Sequence, residues 1–558
     1  MTSYTVTDYL LDRLAEAGVD RMFGVPGDFT LAMLDHVEDH PTVDWVGCSN
    51  ELGAGYAADG YARMRGIGVL CTTFGVGELS AINAVAGSYA EHVPVIHVVG
   101  SPSIATQTAG RATHHTLGDG DFRHFARMTT EVTCAQGYLT VENATSEIDR
   151  VIAEAIDRRL PGYLLIPADV AMSETERPQS AMHLHPQITN PNSLKAFREA
   201  AASLLGNAST VSVLADILVQ RMGARSELER LLAYGLPVAT LLWGRRVVDE
   251  SLTTYVGAYV GAVSAEPVRA AIEDPDVLIM VGVEFTDLTS AFFTQRLSEE
   301  RTVDVGANSA RIGQRTYGPI SMSDAIDALT EIVGGLDGQL RRPEIARLQA
   351  PDLEPGDPTR SLTQESLWKA VSGSLRSGDL VLADQGTAFY GISAHSFPRD
   401  LTFVGQPLWA AIGFTLPALL GAALAAPELR PILLIGDGAA QLTVAELGTL
   451  IRNRVPATIV VVNNDGYTIE RAIHGPDAVY NDIASWNWTA LLGALDPEGT
   501  SVGITARTVG ELTDALDSVG EGRPDHLTLI EVVVPRLDVP PLLASLAGAA
   551  AAANTSRH

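Results

Sequence analysis

The sequence predicts an α/β protein of three doubly wound parallel-sheet domains, of which the first and third are related by duplication. Three observations lead to this fold class. Short apolar runs alternate with helical stretches along the chain, two Pro-rich segments interrupt that alternation, and one strand–helix–strand pattern occurs twice. The length of 558 residues is ample for three buried cores.

Ten short runs rich in Val, Ile and Leu have the length and composition of buried strands. They lack polar alternation, which is typical of strands in a parallel sheet that helices cover on both faces. In chain order the runs are GVLCTTFG, VPVIHVVG, GYLLIP, VSVLAD, LPVATLLWG, VLIMVGV, LVLADQG, PILLIGDG, ATIVVVNND and LTLIEVVVP.

Segments 174–192 and 341–359 are rich in Pro and show little apolar periodicity, so both are predicted to be linkers. The linkers divide the chain into three predicted domains. These are residues 1–175, residues 190–340 and residues 360–558.

The first and third predicted domains share one pattern. A strand that ends in Thr73-Phe74-Gly75-Val76-Gly77 is followed by a helix, by Val93-Pro94 and by another strand. The same order recurs with Gly436-Asp437-Gly438 and Val455-Pro456. Helices rich in small residues precede both copies, at residues 51–63 and 412–425. The two domains therefore read as diverged copies.

Charge and cysteine content limit the partners and the compartment. There are 38 basic against 67 acidic residues, so the net charge of −29 disfavours nucleic acid and anionic lipid. Three cysteines without metal-ligand spacing indicate reduced thiols. The N-terminal segment has no basic region and is predicted to be an amphipathic helix capped by Thr7. A cytoplasmic protein with no nucleic-acid or membrane partner is predicted.

The most informative motif pairs Asp437, in Gly-Asp-Gly, with Asn464, in Asn-Asn-Asp-Gly. A strand, a helix and a strand fit around this interval, which places both residues at the carboxyl ends of neighbouring parallel strands, where such folds bind ligands. Mg²⁺ prefers oxygen ligands, and the Asp437 carboxylate, the Asn464 amide oxygen and the Gly466 carbonyl offer three. Two diphosphate oxygens and a water would complete the shell.

Several further motifs accompany this pair: Phe23-Gly24-Val25-Pro26-Gly27-Asp28, the run from Asn50 to Ala62, His114-His115, Ala383-Asp384-Gln385-Gly386-Thr387 and Gly466-Tyr467-Thr468-Ile469-Glu470. With these motifs the chain resembles, nearly end to end, the 2-oxo acid decarboxylase branch of the thiamine diphosphate enzymes. This branch includes pyruvate, indolepyruvate and branched-chain 2-oxo acid decarboxylases. The resemblance implies thiamine diphosphate and Mg²⁺ as cofactors, a small 2-oxo acid as substrate, and at least a homodimer with intersubunit active sites, assembled as a homotetramer.

The resemblance also implies residue roles in cofactor binding. Glu51 would bind the pyrimidine ring nitrogen and favour the imino form of the cofactor, for which burial would raise its pKa. Ile412 would bend the cofactor, and the Ala410 carbonyl would reach the aminopyrimidine. The remaining cofactor-binding residues implied are Thr387, Asp437, Gly438, Ala439, Asn464, Gly466 and Tyr467. Ala410 and Ala439 depart from the family pattern, in which Gly and Ser are frequent at these places.

Asp28, His114, His115 and Glu470 would handle protons during catalysis. The substrate carboxylate must be oriented, and the carbon that loses CO₂ must receive a proton before the aldehyde leaves. Which of the four delivers which proton stays open.

The acyl pocket implied by the resemblance is lined by Gln385, Phe389, Ile469 and a C-terminal helix that presents Leu546 and Ala550. The small Ala550 side chain predicts room for a branched or aromatic substituent, so such 2-oxo acids should be preferred over pyruvate. The alternative for this Ala-rich segment is a tail that frays.

Two other functions share part of these motifs. A carboligating enzyme of the acetohydroxyacid synthase type would share Glu51 and the Asp437–Asn464 motif, but not the combination of Asp28, the His pair and Glu470. A catalytically silent thiamine-binding paralogue would not need the proton-handling set.

Overall fold

The computed structural model describes residues 4–184, 188–342, 357–520, 522 and 524–555. Its strands form three separate sheets of six, seven and six strands. The first sheet contains β1 (Arg21–Gly24), β2 (Asp44–Gly47), β3 (Gly68–Thr73), β4 (Val95–Ser101), β5 (Ala135–Tyr138) and β6 (Gly162–Pro167). The second contains β7 (Val211–Ala215), β8 (Val238–Thr240), β9 (Tyr255–Ala258), β10 (Val277–Val281), β11 (Thr302–Val305), β12 (Ala310–Ile312) and β13 (Arg315–Tyr317). The third contains β14 (Asp379–Ala383), β15 (Thr402–Val404), β16 (Arg430–Gly436), β17 (Thr458–Asn463), β18 (Val502–Ala506) and β19 (Thr528–Val533).

The α-helices connect the strands or follow them. Their bounds are α1 (Val6–Glu16), α2 (Leu31–Asp39), α3 (Glu51–Arg65), α4 (Val76–Ala90), α5 (Ile104–Thr108), α6 (His124–Thr129), α7 (Ala144–Arg158), α8 (Ala168–Ala171), α9 (Pro191–Leu205), α10 (Leu218–Arg221), α11 (Arg225–Leu232), α12 (Glu266–Glu273), α13 (Met322–Gly335), α14 (Gln364–Ser374), α15 (Thr387–Ile392), α16 (Thr415–Ala425), α17 (Asp437–Thr443), α18 (Glu446–Arg452), α19 (Thr468–Ile473), α20 (Trp488–Leu495), α21 (Val509–Ser518) and α22 (Pro541–Thr555). None of the helices in the described part of the chain has the length and apolar composition needed to cross a membrane.

The strand order confirms the predicted fold class. The first sheet runs β2-β1-β3-β4-β6-β5 and the third β15-β14-β16-β17-β19-β18, which is the same order counted from each sheet's first strand. All neighbours in both sheets are parallel. The first and third sheets thus have the same topology, as the predicted duplication requires.

The second sheet departs from a purely parallel arrangement at one edge. It runs β13-β12-β11-β10-β7-β8-β9, and its edge strands β12 and β13 pair antiparallel. The chain turns back directly after β11, and short hairpins of this kind commonly close the edge of an otherwise parallel sheet.

All ten predicted strands are present, and the structure adds nine that the sequence analysis missed. Each of the nine has five residues or fewer. Such short strands carry too few apolar residues for a periodicity signal.

The cap of α1 was predicted two residues too late. Thr5, not Thr7, caps the helix: the Asp8 amide donates to the Thr5 hydroxyl oxygen, and the Asp8 carboxylate accepts from the Thr5 amide. The Thr7 hydroxyl instead donates to the Ala171 carbonyl at 2.9 Å. Thr5 is favoured because it has an acidic residue three positions later, which completes a capping box.

Residues group into two compact units. The first comprises Met1–Pro186, Gly413–Glu428 and Leu442–Val455, and the second comprises the rest of the chain. The predicted boundaries of three domains therefore stay predictions. Of the two predicted linkers, residues 185–187 and 343–356 lie outside the described residues.

In the first unit, the two small-residue helices α3 and α16 pack against each other. A Cβ atom at Gly60 would lie 2.1 Å from the Ala418 carbonyl oxygen, and one at Gly421 would lie 1.8 Å from the Ala57 carbonyl oxygen. Only glycine permits such close backbone contact, which explains the composition of both helices.

Candidate active site

Asp437 and Asn464 meet at the carboxyl edge of the third sheet, as their spacing predicts. Asp437 follows β16 and Asn464 follows β17, and these strands pair in parallel with Gly436 opposite Val462. The Asp437 carboxylate accepts hydrogen bonds from the Gly438 amide at 2.8 Å and from the Gly466 amide at 3.2 Å. The two loops are thus joined through the Asp437 side chain.

The Asn464 side-chain amide lies beside the Gly466 carbonyl oxygen and Asp437 Oδ1. In one orientation its nitrogen donates to the Gly466 carbonyl at 2.8 Å and to Asp437 Oδ1 at 3.1 Å, and its oxygen accepts from Thr468. With the amide turned the other way, its oxygen would lie beside the Asp437 carboxylate and the Gly466 carbonyl. Three oxygen atoms at one place are a donor set that fits Mg²⁺.

Asp437 is a buried carboxylate. Only 2% of the residue is exposed, and burial raises its pKa to about 6. Among the described residues it takes part in no ion pair. A buried carboxylate of this kind becomes more stable as an anion when a metal ion binds beside it.

Arg471 holds the loop that carries Asn464. Its buried guanidinium donates to the Asn464 carbonyl at 3.2 Å and to the Asp465 carbonyl at 2.6 Å, and it pairs with Asp482 at 3.0 Å. Gly466 has a left-handed φ of 126°, and a Cβ atom there would lie 2.6 Å from Arg471 Nη2, so only glycine fits between this loop and the guanidinium. The sequence analysis missed Arg471, although an arginine next to Glu470 in the motif was a visible signal.

The other predicted cofactor residues of the second unit line the same sheet edge or follow nearby strands. The Tyr467 ring lies against Gly438, where a Cβ atom would be 2.6 Å from Tyr467 Cε1. Ala439 is buried in α17, and Thr387 is the buried first residue of α15. The Gln385 Nε2 atom is buried and has no hydrogen-bond partner among the described residues.

Ala410 and Ile412 lie in a loop before α16. Ala410 has a φ of 55°, the left-handed region in which glycine is favoured, and its amide donates to the Gln406 carbonyl at 3.0 Å. The methyl group therefore adds strain where the family pattern often has glycine. Ile412 is only partly buried, so it is not an ordinary core isoleucine.

Glu51 is the first residue of α3, in the first unit. Asn50 caps this helix by accepting from the Gly53 amide at 2.8 Å. Glu446, which the sequence analysis missed, is fully buried and accepts from the Ser49 amide at 3.0 Å. Its signal was weak, because an acidic residue at the start of α18 reads as an ordinary helix carboxylate.

A glycine turn connects Glu51 with the histidine pair. A Cβ atom at Gly75 would lie 2.1 Å from the His115 carbonyl oxygen, and one at Gly77 would lie 3.3 Å from Glu51 Oε1. Gly75 also has a left-handed φ of 64°. The turn that the repeat pattern singled out is therefore in contact with two predicted catalytic residues.

Glu78 stabilises this turn through a hydrogen bond from the Gly75 amide. The sequence analysis did not identify Glu78 as a site residue. Its carboxyl group accepts from the Gly75 amide at 2.8 Å and from the Tyr163 hydroxyl at 2.7 Å. Burial raises the pKa of Glu78 to about 7. No sequence signal distinguishes this residue from a helix cap.

Asp28, His114 and His115 form one cluster in the first unit. His114 Nε2 and Asp28 Oδ2 are 2.8 Å apart, and the ligand atoms of all three residues lie within 4.8 Å of one another. Phe29 stacks on His114 with ring centroids 5.0 Å apart and meets the His115 ring edge-on. Phe29 thus orients both imidazoles. Glu470, the fourth member of the predicted set, is an exposed residue of α19 in the second unit.

Four of the five predicted substrate-pocket residues lie on three helices of the second unit, and Gln385 lies in the turn just before α15. The predicted C-terminal helix is present as α22, which contacts α15 and α19. Leu546 and Ala550 are buried on α22, Phe389 is buried on α15, and Ile469 on α19 packs against the same core.

Comparison with known proteins agrees with this arrangement. The thiamine pyrophosphate enzyme family matches in three parts: the N-terminal TPP binding domain at residues 4–123, the central domain at 198–332 and the C-terminal TPP binding domain at 386–532. The chain is 52% identical over 550 residues to the alpha-keto-acid decarboxylase of Mycobacterium ulcerans (strain Agy99), covering 98% of this chain and 96% of that protein. It is 52% identical over 549 residues to the protein of the same name from Mycobacterium tuberculosis (strain ATCC 25618 / H37Rv), covering 98% and 97%. The chain thus belongs to the thiamine diphosphate-dependent 2-oxo acid decarboxylases.

Proposed function

We propose that this decarboxylase prefers branched-chain or aromatic 2-oxo acids to pyruvate, releases the aldehyde and CO₂, and requires Mg²⁺. The observation that carries the substrate preference is the packing of α22 against α15 and α19. Ala550 is buried on this helix, and its small side chain would leave room that a bulky residue at the same position would fill. A larger acyl group can then bury more apolar surface, at about 0.8 kcal/mol per methylene.

Support for Mg²⁺ comes from the oxygen atoms of Asp437, Asn464 and Gly466. The Asn464 amide lies 3.1 Å from Asp437 Oδ1 and 2.8 Å from the Gly466 carbonyl, and by turning over it would present its oxygen beside both. Mg²⁺ held here would bring the diphosphate of the cofactor to the carboxyl edge of the third sheet.

Thiamine diphosphate supplies the nucleophilic carbon and accepts the electron pair that CO₂ leaves behind. The proposed role of Glu51 is to hold a proton at its carboxyl oxygen for the pyrimidine ring nitrogen. Asn50 and Glu446 fix the backbone on which Glu51 stands, and Gly77 leaves room for its carboxyl group.

Asp28, His114, His115 and Glu470 are proposed to orient the substrate carboxylate and to return a proton to the product carbon. In support, the His114 imidazole lies within hydrogen-bond distance of the Asp28 carboxylate, at 2.8 Å. Both side chains are about half exposed, at 58% and 49%. A proton can therefore pass between solvent, His114 and a bound substrate.

We further propose a cytoplasmic enzyme that is at least a homodimer, assembled as a homotetramer, whose active sites combine residues of two subunits. Large apolar side chains are exposed next to candidate site residues, and a partner subunit would cover them. They are Val76 and Leu117 in the first unit, and Leu408, Trp409, Val479 and Tyr480 in the second.

The decisive experiment measures aldehyde formation from pyruvate, 4-methyl-2-oxopentanoate, phenylpyruvate and indolepyruvate. The larger acids should exceed pyruvate in kcat/KM by about tenfold or more. Ala550→Phe should penalise the aromatic acids selectively, while Ala544→Phe, at an exposed position of the same helix, serves as a matched control. Pyruvate as the best substrate, or equal losses for all acids in Ala550→Phe, would contradict the wide pocket.

A further inference from the structure

A cavity of about 420 Å³ lies in the second unit, away from every residue discussed so far. It opens between α14 and α21, above the first residues of β16 and β17. Asp437 and Asn464 stand at the opposite ends of these two strands. A strand of seven residues spans about 20 Å, so the cavity is separate from the candidate active site. Its volume is in the range of small-molecule sites.

The inner wall of the cavity is apolar. Leu516 and Val519, on the side of α21, are partly buried, and together with Ile432 from the sheet they present apolar surface that suits an aliphatic or aromatic group. Val460 and Val371 lie behind this surface and are at most 1% exposed.

The charged residues of the cavity are predominantly basic, on a chain whose net charge is −29. Four basic residues line it, against two acidic ones: Arg360, Lys369, Arg376 and Arg430, with Glu365 and Asp517. The charge of Arg430 is already compensated, because its guanidinium pairs with Asp379 at 2.7 and 2.8 Å.

Lys369 is different from Arg430. It is one of only two lysines in the sequence, it is partly buried in α14, and it forms no ion pair with any described residue. An ammonium group next to an apolar wall offers a small anion a charged partner that no side chain already occupies.

Space for a ligand is preserved at Gly373, in the last turn of α14. A Cβ atom there would meet nothing within 4 Å, so no packing contact requires glycine at this position. Glycine is a poor helix former, yet here it leaves the cavity open.

We propose that this cavity is a second small-molecule site, which binds a monocarboxylate with an aliphatic or aromatic body. The carboxylate pairs with Lys369, and the body lies on Ile432, Leu516 and Val519. Because Ile432 lies on β16, the strand that ends before Asp437, a ligand here contacts a strand of the candidate active site from its other end.

The test uses the holoenzyme and 3-phenylpropanoate, which has no 2-oxo group and cannot be decarboxylated. Binding is measured by ligand-observed saturation-transfer NMR up to millimolar concentrations. Gly373→Phe fills the cavity and should weaken binding by about tenfold or more. Lys369→Gln should weaken it by about threefold or more, and the neutral 3-phenylpropanamide should bind wild type as weakly as the acid binds Lys369→Gln.

Two matched controls exist in the same chain. Gly493→Phe adds a ring at another open helical glycine, in α20, and Lys195→Gln removes the other lysine, in α9. Both should bind the probe like wild type. The inhibition constant of the probe in the decarboxylase assay reports binding at the active site and should be equal in all four variants.

Equal probe binding by Gly373→Phe and Gly493→Phe would overturn the proposal, as would equal probe binding by Lys369→Gln and Lys195→Gln. Neither result depends on which 2-oxo acid the enzyme prefers. A failure of the proposed substrate preference would thus leave this test intact.

Discussion

Glu78 gives the catalytic turn a pH dependence that can be measured as stability. Burial raises its pKa from the usual 4.5 to about 7, which corresponds to about 3 kcal/mol at about 1.4 kcal/mol per pH unit. The raised value means that the folded protein binds a proton at Glu78 more tightly than the unfolded chain does. Its contribution to the free energy of unfolding is thus fully present below pH 4.5 and is lost as the pH rises to about 7.

Glu78→Gln replaces the protonated acid by a neutral amide of the same shape. The amide oxygen can still accept from the Gly75 amide, and the Tyr163 hydroxyl can turn to accept from the amide nitrogen. Relative to wild type, the free energy of unfolding of this variant should therefore rise by about 3 kcal/mol between pH 4.5 and pH 8. At the acidic end the two proteins should be nearly equal.

Urea unfolding followed by circular dichroism, at several pH values and at one protein concentration, measures this difference. Glu131→Gln, a change at an exposed glutamate of the same unit, is the control and should follow wild type at every pH. If the curves for Glu78→Gln and wild type run parallel within about 0.5 kcal/mol, burial of Glu78 does not have the assigned effect. Glu78→Leu, which cannot accept from Gly75, should lose activity more strongly than Glu78→Gln at pH 6, because the turn positions Glu51 and His115.

Two further predictions concern the cofactor. Asp437→Ala should purify folded but without thiamine diphosphate, and chelators should inactivate wild type slowly; mass spectrometry of the native protein measures occupancy, and full metal-independent loading would contradict the assignment. Glu51→Gln should retain most cofactor affinity but slow the exchange of the thiazolium C2 proton by orders of magnitude, as followed by acid quench and NMR. An unchanged exchange rate would assign Glu51 another role.

The sequence predicted those features that short stretches of chain determine. Asp437 and Asn464 could be placed side by side because each directly follows an apolar run, and the ends of neighbouring parallel strands meet at one edge. The ten long apolar runs were strands for the same local reason. The shared small-residue composition of α3 and α16 supported the duplication, but their packing against each other was not predicted.

Contacts between distant parts of the chain could not be predicted in this way. Glu446 meets Ser49 across 397 positions, and Glu78 meets Tyr163 across 85. Their raised pKa values result from burial, which depends on the tertiary structure as a whole. Similarly, Arg471 donates hydrogen bonds to the Asn464 and Asp465 carbonyls, and the positions of these carbonyls depend on the folded conformation of the loop.

The close packing of α3 on α16 also constrains the order in which the protein can fold during synthesis. The first unit needs Gly413–Glu428 and Leu442–Val455, which leave the ribosome only after about four-fifths of the chain has been made. Until then the glycine-rich face of α3 has no partner, and the backbone before Glu51 lacks the carboxylate of Glu446. The N-terminal third therefore completes its fold only after the C-terminal third has been synthesised. A fragment that ends at the first linker would leave this face of α3 exposed and should aggregate.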